Sequence, residues 1–143
     1  MLPDSHLIET PLASELIYDG KIVHLYKDTV LLPNGQSALR EVIRHVGAIC
    51  VVPLTDEGEV VCVRQFRYPH TDYVYEFPAG LVEAHEDMLE AGIREMYEET
   101  GLQFTPVDAG AYSRPFFTTI GMTDESCGTV YGYCSGEPTS SHQ

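Results

Sequence analysis

Between Gly80 and Leu102 the chain sets Glu95, Glu98 and Glu99 at steps of three and four residues, which on a helix puts their carboxylates on one face. Leu89, Ile93, Met96 and Thr100 fall at the same steps on another face and supply an anchoring stripe. Like charges at such spacings destabilise a helix by roughly 0.2–0.5 kcal/mol per pair in water, and by more where protein excludes solvent. The segment therefore predicts a helix with one face on a core and the other turned to a cation. Oxygen-only donors in this number suit a hard ion. Magnesium takes one or two carboxylates, waters and substrate phosphate oxygens more readily than a closed protein cage.

For an arbitrary Glu-x-x-Glu-Glu the ordinary reading is a solvated acidic surface, and the neighbouring residues decide against it here. Gly101 stands where a positive φ closes a helix at little steric cost. Glu86 and Asp87 fall at the helix start, where the dipole favours negative charge. Arg94 adjoins the acids and is placed to orient one of them through charge-assisted hydrogen bonds.

With these residues in view, the segment resembles the Nudix box. Gly80, five residues, Glu86, seven residues, Arg94-Glu95, an aliphatic residue at Met96, Glu98-Glu99 and Gly101-Leu102 match nine fixed or restricted positions over 23 residues, too many for chance. The resemblance implies a hydrolase that acts on a nucleoside diphosphate linked to another moiety.

The 143 residues, 43% of them hydrophobic, are the size of one globular domain with a core. Residues 1 to 20 lack a basic region followed by an apolar run, and no segment has the roughly 20 apolar residues that span a bilayer, so a cytoplasmic protein is expected. Cys50, Cys62, Cys127 and Cys134 lack close pairing. Cys50 and Cys62 lie in apolar, strand-like runs, which reads as reduced core thiols rather than a zinc site. A net charge of −14 argues against a nucleic-acid partner. It would also repel an anionic substrate, unless metal ions and a few arginines reverse the charge locally. Arg40, Arg44, Arg64 and Arg67 are four of six arginines, all ahead of the acidic helix, and are candidates for the phosphate grip.

Along the chain, residues 22 to 32 read as a strand ending at the turn Pro33-Asn34-Gly35, with a returning strand carrying Arg40 to His45. Ala48 to Leu54 and Val60 to Tyr68 read as a second hairpin across Thr55-Asp56-Glu57-Gly58. Tyr73 to Phe77 leads through Pro78-Ala79 into the helix segment, and 110 to 118 and 128 to 134 look like strands. Hairpins on both sides of a helix predict an α/β fold with a mixed sheet.

Outside the box the chain is similar to the ADP-ribose pyrophosphatase branch of the family over most of 15 to 126. The carriers are Leu32-Pro33-Asn34-Gly35, Arg40-Glu41-Val42-Ile43-Arg44-His45, Arg64-Gln65-Phe66-Arg67-Tyr68 and Glu76-Phe77-Pro78-Ala79-Gly80. This resemblance implies a mixed sheet sandwiched between helices and a homodimer that exchanges an N-terminal antiparallel sheet. It also implies an N-terminal β region over 1–45 serving dimerisation and substrate contacts, and a catalytic domain over 46–143 expected to lack its C-terminal elements. The implied metal shell for Mg2+, with Mn2+ as a substitute, is Glu95, Glu98, Glu99 and the Ala79 carbonyl, with Arg94 and Glu86 completing the catalytic set. The implied substrate contacts are Arg67, Arg40, Glu41, Glu76 and Arg64. For Arg40 and Arg64 a solvated strand face or a salt bridge to the excess acid is an equal alternative.

The implied reaction is magnesium-assisted attack of water on a diphosphate, for ADP-ribose giving AMP and ribose 5-phosphate. A module that binds ADP-ribose without cleaving it and a hydrolase for another nucleotide sugar are the competing readings. Ile120, in Thr118-Thr119-Ile120-Gly121, stands where the branch carries a proline, which leaves the sugar open. The general base is not assignable from these residues.

Overall fold

In the computed structural model, residues 4–108 and 112–139 are described, and the chain divides into two compact units. The first comprises Met1–His45 and Phe117–Glu125, the second Val46–Phe116 and Ser126–Gln143.

The first unit is an antiparallel meander of β1 (Thr10–Asp19), β2 (His24–Leu31) and β3 (Ser37–Arg44), preceded by a short 3-10 turn at Asp4–Leu7. The β2–β3 turn follows the sequence. Gly35 takes φ 82°, Leu32 N–H donates to the Gln36 carbonyl at 2.8 Å, and Asn34 Oδ1 accepts from Gln36 N–H at 3.0 Å. The returning strand starts earlier than expected, at Ser37. β1 had no counterpart among the expected strands. All ten of its residues are exposed, so it lacks the inside-outside alternation that marks a strand in sequence. Residues 117–125 close on the end of β3, where Ile43 N–H donates to the Met122 carbonyl at 2.8 Å and the His45 N–H donates to Asp124 Oδ1 at 2.7 Å.

The second unit is built on a mixed sheet in the order β7 (Ala79–Leu81), β4 (Ala48–Leu54), β10 (Ser126–Ser135), β8 (Gln103–Pro106), with β4 and β10 parallel and the other neighbours antiparallel. β5 (Val63–Arg67) and β6 (Asp72–Glu76) form a separate two-stranded hairpin. β9 (Phe116–Phe117) lies where the chain passes from one unit to the other. Helix α1 (Met88–Thr100) packs on the sheet, and Ile49, Val51, Ala91, Met96, Leu102, Phe104, Val130 and Cys134 form the core. It is the one α-helix among the described residues, so a second helical layer has no counterpart among them.

Four expectations are corrected. β4 and β5 are not a hairpin: only Leu54 and Val60 bridge, and β4 turns to β10 and β7, because its alternating burial needs partners on both edges of a sheet core. The strand expected at 110–118 reduces to a Tyr112–Val130 bridge and β9, with residues 110 and 111 outside the described residues. Cys62 is exposed, while Cys127 and Cys134 are the buried thiols. Of the expected stripe, Met96 and Thr100 are buried and Leu89 packs on the core, but Ile93 is 40% exposed, and Ala91 and Gly92 are buried in addition. Gly92 explains the shift: a Cβ there would lie 2.6 Å from Val130 Cγ2, so its lack of a side chain lets helix and sheet approach.

Candidate active site

The acidic helix begins and ends on local chemistry. Asp87 caps α1, accepting from Leu89 and Glu90 N–H at 2.8 and 2.9 Å, while the Glu90 side chain reaches back to Asp87 N–H at 3.4 Å. Gly101 closes it at φ 74° with its N–H on the Tyr97 carbonyl at 2.8 Å. The helix register so fixed puts Arg94 at the centre of a network. Its Nε and Nη2 donate to the two oxygens of Glu86 at 2.8 Å each, and Nη1 donates to Glu95 at 2.7 Å and to Glu98 at 3.3 Å. Nη2 also donates to the Leu81 carbonyl at 3.0 Å, tying the helix to β7. Glu86 accepts a further bond from Glu83 N–H at 3.0 Å.

Electrostatics follow the geometry. The Arg94 guanidinium, aided by Glu83 N–H, lowers the Glu86 pKa to about 2, and Glu86 and then Glu95 raise that of Arg94. Glu95 lies so close over Gly80 of β7 that a Cβ there would sit 2.0 Å from its carboxylate and push it off Arg94. Glu99 Oε2 accepts from Ala79 N–H at 3.2 Å. Burial raises the Glu99 pKa, the Ala79 bond opposes this, and the charges of Glu95 and Glu76 add to the rise.

Arg67 meets Glu76 across the hairpin, with Nε donating at 2.9 and 3.0 Å and Nη2 at 2.5 Å. Glu76 raises the Arg67 pKa, and Glu99 contributes through its charge. Arg64 is not brought to this pair. Alternation along β5 turns it to the other face, where its guanidinium stacks on Tyr73 at 4.5 Å and lies 5.9 Å from Tyr75. Arg40 and Glu41 belong to the first unit, on β3. So does Ile120, 79% exposed in the 117–125 segment. Glu125, also there, accepts from the Thr118 hydroxyl.

Among the described residues no three imidazole, thiol or carboxylate groups already form a metal cage. The donors at Glu95, Glu98 and Glu99 are all hard oxygens, and charge accumulates at Glu99. That suits a divalent ion whose shell is completed by water and phosphate oxygens. Sequence reasoning missed Asp87 as the helix cap, although its Asp-x-x-Glu spacing to Glu90 was a readable signal. It also missed the Tyr73 and Tyr75 platform under Arg64, and Glu9, whose two oxygens accept from Arg40 across 31 residues and which had no local signal.

Residues 43–139 match the NUDIX domain and residues 9–43 match the nucleoside diphosphate sugar hydrolase N-terminal domain. The chain is 39% identical over 122 residues to an ADP-ribose pyrophosphatase of Bacillus subtilis (strain 168), covering 83% of this chain and 63% of that one. It is 38% identical over 117 residues to a methanol dehydrogenase activator of Bacillus methanolicus, covering 82% and 62%. With an ADP-sugar pyrophosphatase of Mus musculus it shares 34% over 110 residues, covering 69% and 49%. It thus spans less than two thirds of the length of these relatives. A solved ADP compounds hydrolase superposes with a TM-score of 0.78 at 19% identity, covering 94% of this chain and 72% of that one, a likeness of fold. With 97 consecutive residues (139 − 43 + 1) matching the domain and the box folded as a capped acidic helix against β7, the chain belongs to the Nudix family.

Proposed function

We propose that this chain hydrolyses the diphosphate bond of a nucleoside diphosphate-linked sugar, with ADP-ribose giving AMP and ribose 5-phosphate as the reaction the site supports best. The observation that carries the reading is the gathering of Glu76, Glu86, Glu95, Glu98 and Glu99 around Arg67 and Arg94 within one unit. The relatives that act on ADP-ribose and ADP-sugars support the substrate class.

Glu95, Glu98 and Glu99, with the Ala79 carbonyl, would hold Mg2+, or Mn2+ in its place. Such an ion, when bound, supplies Lewis acidity toward phosphate oxygens and water. The chain does the rest through its own contacts. Glu86 fixes Arg94, and Arg94 aims the carboxylates of Glu95 and Glu98. Ala79 N–H aims that of Glu99. Arg67 trades its Glu76 partner for non-bridging phosphate oxygens, which a planar guanidinium grips two at a time. Arg40 and Glu41, on β3, are read as substrate contacts within the first unit.

The working form is read as a homodimer. Leu12, Leu16, Ile17 and Tyr18 of β1, between 46% and 59% exposed, support a partner on that sheet. A cytoplasmic setting accords with Cys50, Cys62, Cys127 and Cys134 being thiols rather than disulfides. No helix among the described residues is long and apolar enough to cross a membrane.

The test is incubation of purified protein and Mg2+ with ADP-ribose, other nucleotide sugars, dinucleoside polyphosphates and oxidised nucleotides, with chromatographic identification of products. ADP-ribose is expected to be consumed fastest, with AMP and ribose 5-phosphate in equal amounts. Saturable binding of ADP-ribose that leaves it intact would make the chain a binder instead of a hydrolase.

A further inference from the structure

Glu9 belongs to no motif, yet within the first unit it meets Arg40 side-on. Arg40 Nε donates to Oε2 at 2.9 Å and Nη2 to Oε1 at 2.5 Å, while Nη1 donates to the Leu39 carbonyl at 2.9 Å. A guanidinium carries five N–H groups, so these three bonds leave 5 − 3 = 2, one on each terminal nitrogen. Two such donors serve two acceptor atoms of one ligand. Arg40 lines a cavity of about 380 Å3, with Leu25, Leu39, Glu41, Ile43 and Met122 among the other walls. Glu9 does not line it. The volume is that of a small-molecule site, for which about 300–1,000 Å3 is usual.

Stability does not account for the pair. Its side chains are 42% and 37% exposed, and ion pairs that open to solvent contribute little to folding. Orientation does account for it: a free arginine samples many rotamers that binding must then order, whereas two-point contact with Glu9 orders it in advance.

We propose that Glu9 is a positioning residue for substrate binding, holding the Arg40 guanidinium so that its two uncommitted N–H groups are presented to acceptor atoms of a substrate in the first-unit cavity. This rests on the reading of Arg40 as a substrate contact, and it extends the site to a residue that itself touches no substrate.

The test is a double-mutant cycle on the Kd for ADP-ribose, measured by calorimetry with divalent metal omitted so that nothing turns over. Arg40→Gln is expected to weaken binding about tenfold and Glu9→Gln about three- to fivefold, with the double variant no weaker than Arg40→Gln alone. With Mg2+ present, KM carries the same pattern and kcat does not. Unchanged affinity in Glu9→Gln beside a weakened Arg40→Gln overturns the positioning role, as do penalties that multiply to about 30- to 50-fold in the double variant. Unchanged affinity in Arg40→Gln instead removes Arg40 from the substrate site, and the role of Glu9 with it.

Discussion

The Arg94 network of the second unit and two ion pairs of the first hold charge in different ways. In the second, one arginine serves three carboxylates and a carbonyl, and Arg94, Glu86 and Glu95 are only 26%, 14% and 14% exposed. In the first, the Lys27–Glu15 and Arg40–Glu9 pairs each stand alone, between 37% and 62% exposed. Shielded charges interact strongly and polarise one another, so a network of this kind fixes geometry and stability together. Exposed pairs are screened, and what they chiefly contribute is orientation. The proposed roles differ accordingly: the shielded network would hold charge for a phosphate, and the Glu9–Arg40 pair would orient guanidinium donors.

The comparison can be broken where it predicts the largest effect. Arg67→Gln removes the guanidinium proposed to grip the phosphate and is expected to lower kcat/KM about 100-fold in steady-state assays of ADP-ribose cleavage. A change below threefold would place the phosphate elsewhere. Arg94→Gln leaves Glu86, Glu95 and Glu98 facing one another, and a fall in Tm of about 5–10 °C by calorimetry is expected, against about 2 °C or less for Lys27→Gln in the exposed pair. Equal shifts would erase the distinction between the units.

A smaller effect concerns pH. Because the folded-state pKa of Glu86 lies below its ordinary 4.5, at about 2, its contribution to stability is complete above about 4.5 and is lost as pH falls toward 2. Urea midpoints from pH 6 to 2 are expected to fall more steeply for the unaltered protein than for Glu86→Gln, with the two curves converging at the acid end. The smallest effect is expected from Arg64→Gln. Its guanidinium lies on Tyr73, on the face of the hairpin away from Arg67, so kcat/KM is expected to move less than about threefold.

What could be read in the sequence was what local chemistry determines. The cap at Gly101, the turn at Gly35 and the run Ala48–Leu54 each announce themselves within a few residues, and each is found where expected. Pairing between distant segments was not readable in this way. β4 looked like half of a hairpin because its neighbour in sequence is also apolar, yet its register is set by β10, more than 70 residues on. β1 hid because a strand exposed throughout has no period of two. Arg64 and Arg67 looked alike as charges, and only strand alternation, which sends residues three apart to opposite faces, separates them. Glu9 is the extreme case, since a partner 31 residues away leaves no local trace.

The central claim is that the carboxylates of α1 hold the metal that makes diphosphate cleavage possible. Its most direct test is ADP-ribose turnover as a function of Mg2+ concentration in the unaltered protein and in Glu98→Gln, with AMP and ribose 5-phosphate resolved. Saturable dependence on Mg2+ and a fall in kcat of about 1,000-fold in Glu98→Gln at saturating metal are expected. Full turnover by Glu98→Gln at saturating Mg2+, or turnover without any divalent ion, would contradict it.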